Sequence, residues 1–240
     1  MKSLRVLIIT TSYKSLGDTS ADTGLWLQEL AGPYYVLMDA GELISIASPT
    51  GGPIPIDAKS ELNDAITEST KRFKIDAKAM YHLVHSLPLT EVKAENFDLI
   101  FITGGHGSML DLAHNKTLTR LLEAFNSMGK PIGAVGSGVV ALVSMHNKDG
   151  APFVKDKKLT AYSNAEVQQE GLTYQVPFLL ESELLSLGAY YSRSPDSKTH
   201  VVTDGNLVTG QNPTSSEDAA KEILLLAHNI QNDKKITNVI

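Results

Sequence analysis

Residues 97–107 read FDLIFITGGHG, an apolar strand pattern that runs directly into glycines. The pattern over Phe97–Thr103 is nearly continuous and rich in β-branched and aromatic residues, as expected for a parallel strand covered on both faces. A second stretch, PIGAVGSG at residues 131–138, repeats the arrangement of a strand followed by a glycine-rich turn. Ligands of open parallel sheets bind beyond the carboxyl ends of the strands. These two turns therefore mark where a site is expected.

Strand-like runs alternate with helical ones on both sides of these turns. Further strands are predicted at residues 4–10 and 43–48, and a hairpin around Gly205 at residues 201–209. Helices are predicted at residues 23–40 and from Asn115 to Gly129. A last helix is predicted to begin at a capping box of Thr214 and Glu217. The connection over residues 49–74 is long and rich in proline and glycine, which is typical of a lid. The alternation predicts an α/β fold with a doubly wound, mostly parallel sheet.

Length and composition bound the class of protein. The chain has 240 residues and no cysteine, and its net charge is −6. We expect a single domain over residues 1–240, with a core at about 4–228 and a polar tail at about 230–240. The acidic balance argues against a nucleic-acid partner, and no apolar run approaches the roughly 20 residues of a membrane span. The absence of a signal-peptide pattern predicts a cytoplasmic protein.

Three patterns have weak functional interpretations. Gly136-Ser137-Gly138 with Ala141 fits the G-x-G-x-x-A dinucleotide motif, but it lies mid-chain. Asp156, the acidic residue at the expected distance of about 20 positions, precedes the next predicted strand. Ser137 lacks the flanking glycines of a nucleophile elbow, so a helix-capping serine is the commoner explanation. His82 and His85 have no carboxylate at ligand spacing, and we predict no metal site.

Two features favour a reactive crevice. Gly104, Gly105 and Gly107 around His106 supply more glycines than a tight turn needs, which is typical of backbone N–H groups that face an oxyanion. Glu29 lies mid-helix among apolar and aromatic residues, where burial would raise its pKa and let it act as an acid or base.

Long motifs then resemble a known family. TGLWLQEL at 23–30, the loop at 47–52, GGHG at 104–107 with Asp111, VPFLLE at 176–181 and TGQNP at 209–213 resemble the DJ-1/PfpI (ThiJ/PfpI) superfamily in its Hsp31-like branch. The resemblance covers about residues 4–228. It implies a flavodoxin-like, class I glutamine-amidotransferase-like sandwich, usually a homodimer, that needs no cofactor. Members are described as glyoxalase III-type enzymes that convert methylglyoxal to lactate, and others as stress-response chaperones, deglycases or proteases.

The family elbow Ala-Val-Cys-His-Gly-Pro corresponds here to residues 134–139, AVGSGV. The resemblance therefore puts the nucleophilic cysteine at Gly136 and its histidine partner at Ser137, and both are lost. It retains Glu29 and the oxyanion donors, the amides of Gly105 and Ser137. The third catalytic acid falls at Glu166, or at Val167 if the register differs by one residue. The joint change of three elbow residues is more typical of natural drift than of a designed replacement.

The sequence thus predicts a catalytically degenerate Hsp31-like protein, a pseudoenzyme that binds a small carbonyl or carboxylate metabolite. The predicted binding residues are Gly104, Gly105, His106, Ser137 and Trp26. One alternative is a cofactor-independent, glyoxalase III-like enzyme or hydrolase that uses Glu29 as base. Another is nucleotide binding at the 136–138 turn.

Overall fold

The computed structural model describes residues 3–15 and 22–237. Within them the strands are β1 (Arg5–Ile9), β2 (Leu43–Ser48), β3 (Leu87–Pro88), β4 (Leu99–Ile102), β5 (Ile132–Val135), β6 (Lys158–Leu159), β7 (Tyr190–Tyr191), β8 (Val201–Asp204) and β9 (Leu207–Gly210). The helices are α1 (Leu27–Asp39), α2 (Glu68–Ile75), α3 (Ala77–Val84), α4 (Ser108–Asp111), α5 (Lys116–Ser127), α6 (Asn164–Gln169), α7 (Leu180–Ser186) and α8 (Ser216–Thr237). No helix in these ranges has the length and apolar character that crossing a bilayer requires.

The central sheet has seven strands in the order β3-β2-β1-β4-β5-β9-β8. All neighbours pair in parallel except β8 and β9, which form the antiparallel hairpin predicted around Gly205. β6 and β7 form a separate two-stranded sheet. The strand order reverses between β1 and β4, because the chain first adds β2 and β3 on one side of β1 and then returns to add β4 on the other side. In such sheets a crevice forms beyond the carboxyl ends of the two strands where the order reverses.

The two faces of the sheet carry separate hydrophobic clusters. Leu7 and Ile9 of β1 belong to the cluster that includes α5, whereas Val6 and Ile8 belong to the cluster that includes α1 and α8. Successive side chains of a strand point to opposite faces, so both faces are apolar only when both are covered. The predicted doubly wound, flavodoxin-like fold is confirmed.

Several predicted boundaries are wrong for physical reasons. The first helix begins at Leu27 rather than at residue 23, because Leu25 is extended and forms a parallel bridge with Ile56. The long 49–74 connection contains the start of α2, whose N-terminus is closed by a capping box of Thr67 and Thr70. The cap of Asn115 and the end of α5 before Gly129 are as predicted.

The C-terminal helix also differs from the prediction. Thr214 does not cap it, because residues Pro213–Ser215 form a 3-10 turn and the Thr214 hydroxyl donates to Asn212 Oδ1 at 2.7 Å. α8 begins at Ser216 and continues to Thr237, so most of the predicted polar tail is helical. The remaining tail residues, 238–240, lie outside the described residues.

Candidate functional site

The candidate site is a cavity of about 460 Å³ beyond the carboxyl ends of β4 and β5. Residues from seven parts of the chain line it, and they include all the predicted site residues except Gly104 and Gly136. Those two glycines lie directly behind it, against Glu29. The volume lies within the range of about 300–1,000 Å³ that small-molecule sites occupy.

Glu29 enters the site from the first turn of α1 and is only 2% exposed. Its Oε2 atom accepts a hydrogen bond from the Gly104 N–H at 2.8 Å. Burial raises the pKa of Glu29 to about 8; the Gly104 hydrogen bond opposes the rise, and the Glu166 and Glu170 carboxyls add to it. Glu29 is therefore mostly protonated at neutral pH.

The elbow at Gly136 is built around Glu29. Gly136 has φ +56°, a left-handed conformation that glycine adopts without the cost that a side chain brings. A Cβ atom placed on Gly136 would lie 2.6 Å from Glu29 Oε1 and 2.8 Å from Oε2. The Glu29 carboxyl thus occupies space that a side chain at residue 136 would need.

The same carboxyl weakens the nucleotide interpretation of this turn. Residues Gly136–Leu142 form a 3-10 helix rather than an α-helix, and the turn has the Glu29 carboxyl directly against its first residue. Even when protonated, this carboxyl fills space beside the turn that a pyrophosphate would need. Nucleotide binding at residues 136–138 is therefore not pursued below and stays a prediction.

The glycines after β4 allow three segments to approach one another. A Cβ atom on Gly104 would lie 2.5 Å from Glu29 Oε2 and 2.8 Å from the Ser137 backbone nitrogen. Gly105 has φ +100°, and a Cβ atom there would lie 2.5 Å from the Trp26 backbone nitrogen. Ser137 is the second residue of its 3-10 turn, where backbone N–H groups have no acceptor within the turn. Gly105 and Ser137 both line the cavity, and the role of their amides as oxyanion donors stays a prediction.

His106 is buried and belongs to a network that includes two residues absent from our sequence predictions. Its Nε2 lies 2.7 Å from Glu170 Oε2, and the Tyr162 hydroxyl donates to Glu170 Oε1. Burial alone would raise the pKa of Glu170, but the hydrogen bond and charge of His106 outweigh it and hold the pKa below its usual range. The spacing of Glu170, one helical turn after Glu166, is the signal that could have found it.

Glu166 is positioned by a capping box at the start of α6. Its carboxylate accepts hydrogen bonds from the Ser163 amide and hydroxyl, the Ser197 amide, and the side chains of Gln211 and Asn212. The two bonds from Ser163 close the N-terminus of α6, and those from Gln211 and Asn212 connect α6 to the loop between β9 and α8. Val167, the alternative position for the family acid, lines a small void beside Ser137 and His106.

Trp26, the last predicted site residue, lines the cavity with an indole Nε1 that is buried and has no hydrogen-bond partner among the described residues. The cavity wall also includes Lys59, Asp64 and Thr214, none of which was predicted as a site residue. His82 and His85 lie elsewhere, on and just after α3, and His85 stacks on Tyr81 at 4.2 Å. Within the described residues no third metal ligand joins them.

Comparison with known proteins identifies the relatives of this fold and site. The sequence model of the DJ-1/PfpI family matches residues 22–226. The chain belongs to the DJ-1/PfpI family. It is 32% identical over 161 residues to human glutamine amidotransferase-like class 1 domain-containing protein 1, covering 67% of this chain and 73% of that protein. It is 27% identical to the glutathione-independent glyoxalase hsp3101 of Schizosaccharomyces pombe, covering 95% of this chain and 97% of that protein.

Among solved structures, the Rapid Encystment Protein 24 KDa of Francisella tularensis is similar to this DJ-1/PfpI chain with a TM-score of 0.88. The two are 36% identical, over 92% of this chain and 97% of that one. The predicted family and its Hsp31-like branch are confirmed. The homodimer, the chaperone activity and the pseudoenzyme character stay predictions.

Proposed function

We propose that this DJ-1/PfpI protein is catalytically degenerate and binds a small carbonyl or carboxylate metabolite in the crevice at Glu29, Gly105 and Gly136. The observation that carries the proposal is the elbow. Position 136 has no side chain, and the Glu29 carboxyl fills the space beside it. Covalent catalysis needs an activated nucleophile at a defined position, and a glycine supplies none.

The neighbouring residues offer no replacement for the lost pair. Ser137 is one residue beyond the elbow position, and a serine hydroxyl is a weak nucleophile unless a base takes its proton. His106, the histidine of the cavity wall, bonds to Glu170 through Nε2, and its Nδ1 is without a partner in the described ranges. Ser137 is therefore not joined to a base as a catalytic serine is.

The crevice nevertheless keeps the features that a ligand site needs. It is a concave space with mixed apolar and polar walls, and backbone amides at Gly105 and Ser137 are available to a ligand oxygen. A site that has lost its nucleophile but keeps its hydrogen-bond donors is expected to bind a ligand without converting it.

The test is lactate production from methylglyoxal by the native chain beside the double variant Gly136→Cys/Ser137→His. We expect no turnover above the buffer rate for the native chain and at least about a thousandfold gain for the double variant, because removing a covalent nucleophile costs at least that factor. The new cysteine requires the Glu29 carboxyl to shift, which the end of a flexible side chain allows. Turnover by the native chain at an enzyme-like rate of about 1 s⁻¹ or more would contradict the proposal.

One observation favours a second candidate, a glyoxalase-type activity in which Glu29 is the general base. A pKa of about 8 is close to the ideal for proton transfer near neutral pH. The base must be ionised, so kcat/KM for methylglyoxal should rise about tenfold per pH unit up to pH 8 and level off above pH 9. A flat pH profile, or full activity in Glu29→Gln, would exclude this candidate.

A further inference from the structure

The charges of the crevice wall are strongly unbalanced. Within the described residues, four carboxyl side chains line it, and the lysine at its rim, Lys59, is the only Lys or Arg. The carboxyl groups are those of Glu29, Asp64, Glu166 and Glu170. A ligand with only negative charge would meet this wall unfavourably, whereas a positive group on the ligand would be attracted.

The hydrogen bonds within the protein show which of these carboxyl groups can still accept a hydrogen bond from a ligand. A carboxylate offers about four acceptor positions. Glu166 already accepts five hydrogen bonds, and it has no position left for a ligand. Glu170 accepts one bond at each oxygen, from Tyr162 and His106, and Glu29 accepts one from Gly104.

A buried polar group also remains without a partner at this wall. His106 is 7% exposed, its Nε2 is committed to Glu170, and its Nδ1 has no partner among residues 3–15 and 22–237. Buried polar atoms are almost always hydrogen-bonded, to protein or to ordered water. Nδ1 of His106 is thus an unused hydrogen-bonding atom in the residue that contacts Glu170, which is expected at a ligand site.

On the basis of the proposed function, we propose that the ligand is a small 2-amino carboxylate whose ammonium group donates to the free acceptor positions of Glu29 and Glu170. Its carboxylate then lies toward Lys59 and the backbone amides. An ammonium carries three donors and one positive charge, which matches two carboxyl groups that face the same space. A 2-hydroxy acid or a 2-oxo acid of the same shape lacks that charge.

The raised pKa of Glu29 supports this choice. The groups that act on it are the Gly104 N–H, which favours its ionised form, and the Glu166 and Glu170 carboxyls, which favour its protonated form together with burial. Lys59, Asp64, His106 and Tyr162 are the other titratable groups of the cavity wall. A bound ammonium would replace the proton as the partner of the carboxyl, so binding should release up to one proton at pH 7.

The experiment is isothermal titration calorimetry at pH 7 with matched ligands that differ only at C2. They are alanine, lactate and pyruvate, together with leucine and its 2-hydroxy and 2-oxo analogues. We expect at least one of the two amino acids to bind about tenfold tighter than its hydroxy and oxo analogues, the effect of one good charge-assisted hydrogen bond. The observed heat of binding should differ between phosphate and Tris, because each buffer takes up the released proton with its own ionisation enthalpy.

Two variants locate the selectivity. Glu170→Gln and Glu29→Gln should each reduce the preference to about twofold or less, and Glu29→Gln should abolish proton release. Glu68→Gln, which changes an exposed carboxyl outside the cavity in the same way, should leave the preference intact. If the hydroxy or oxo acids bind as tightly as the amino acids, or if Glu170→Gln keeps the preference, the ammonium proposal is wrong while the metabolite site stands. If none of the six ligands binds, both proposals fail.

Discussion

Glu29→Gln should stabilise the protein at alkaline pH, with an advantage over the native chain that is about 4 kcal/mol larger at pH 9 than at pH 5. An unfolded glutamate ionises near pH 4.5, whereas folded Glu29 keeps its proton up to about pH 8. Between these values the folded state binds more protons than the unfolded state, so the native free energy of unfolding falls as pH rises. The loss is complete once pH has passed about 8. Glutamine is neutral throughout and does not have this loss.

The measurement is urea unfolding of both proteins at pH 5, 7 and 9. Glu68→Gln is the matched control, because the Glu68 side chain is 90% exposed and its replacement should change stability by a similar small amount at each pH. A Glu29→Gln difference that stays constant with pH would show that Glu29 is ionised in the folded protein. That result would also remove the support that protonated Glu29 gives to ammonium binding.

Gly105→Ala should destabilise the protein by about 4 kcal/mol or prevent folding. Residue 105 has φ +100°, and the added Cβ would lie 2.5 Å from the Trp26 nitrogen and nearer still to the Gly24 carbonyl oxygen. Both neighbours are backbone atoms, so neither can move aside as the end of a side chain can. Relief would require α1 to shift away from the turn after β4.

Gly41→Ala is the matched control for this substitution. Gly41 also has a positive φ, +85°, but a Cβ there would meet nothing within 4 Å. Its cost should be the conformational term alone, about 1–2 kcal/mol. Thermal and chemical unfolding of the two variants separates the steric effect from the conformational effect. Equal losses would mean that the turn after β4 is not tightly packed against residues 24–26.

The sequence allowed the central sheet to be predicted because each strand is short, apolar and followed by a turn signal. β4 (Leu99–Ile102) lies within the strand predicted at residues 97–103, because a strand covered on both faces has a continuous run of apolar residues. The late hairpin was predictable because Asp204-Gly205 favours a tight turn between two β-branched runs. The start of α1 could not be predicted in the same way, because an isolated bridge from Leu25 to Ile56 holds this segment extended despite its helical spacing of apolar residues.

The candidate site was predictable only in part. Glu29, the 104–107 turn and the 136–137 elbow lie in motifs that a family resemblance transfers residue by residue. Glu170 and Tyr162 were missed because their partner, His106, is more than 50 residues away in sequence, and no local pattern records that pairing. The bonds that Glu166 accepts from Gln211 and Asn212 were equally invisible, since they depend on a loop that follows β9.

The position of β9 between β5 and β8 has a consequence for biosynthesis. β5 ends at Val135, yet its partner on that side is β9, which begins at Leu207. As the nascent chain leaves the ribosome, about 70 residues therefore emerge while one edge of β5 is still unpaired. The interval is longer still for α1, which packs against α8 only after residues 216 and beyond have been synthesised. The Ser216 hydroxyl, at the start of α8, donates a hydrogen bond to the Gln28 carbonyl oxygen. The crevice takes part of its wall from residues 212–214, so its wall is complete only after these late segments have been synthesised and have docked.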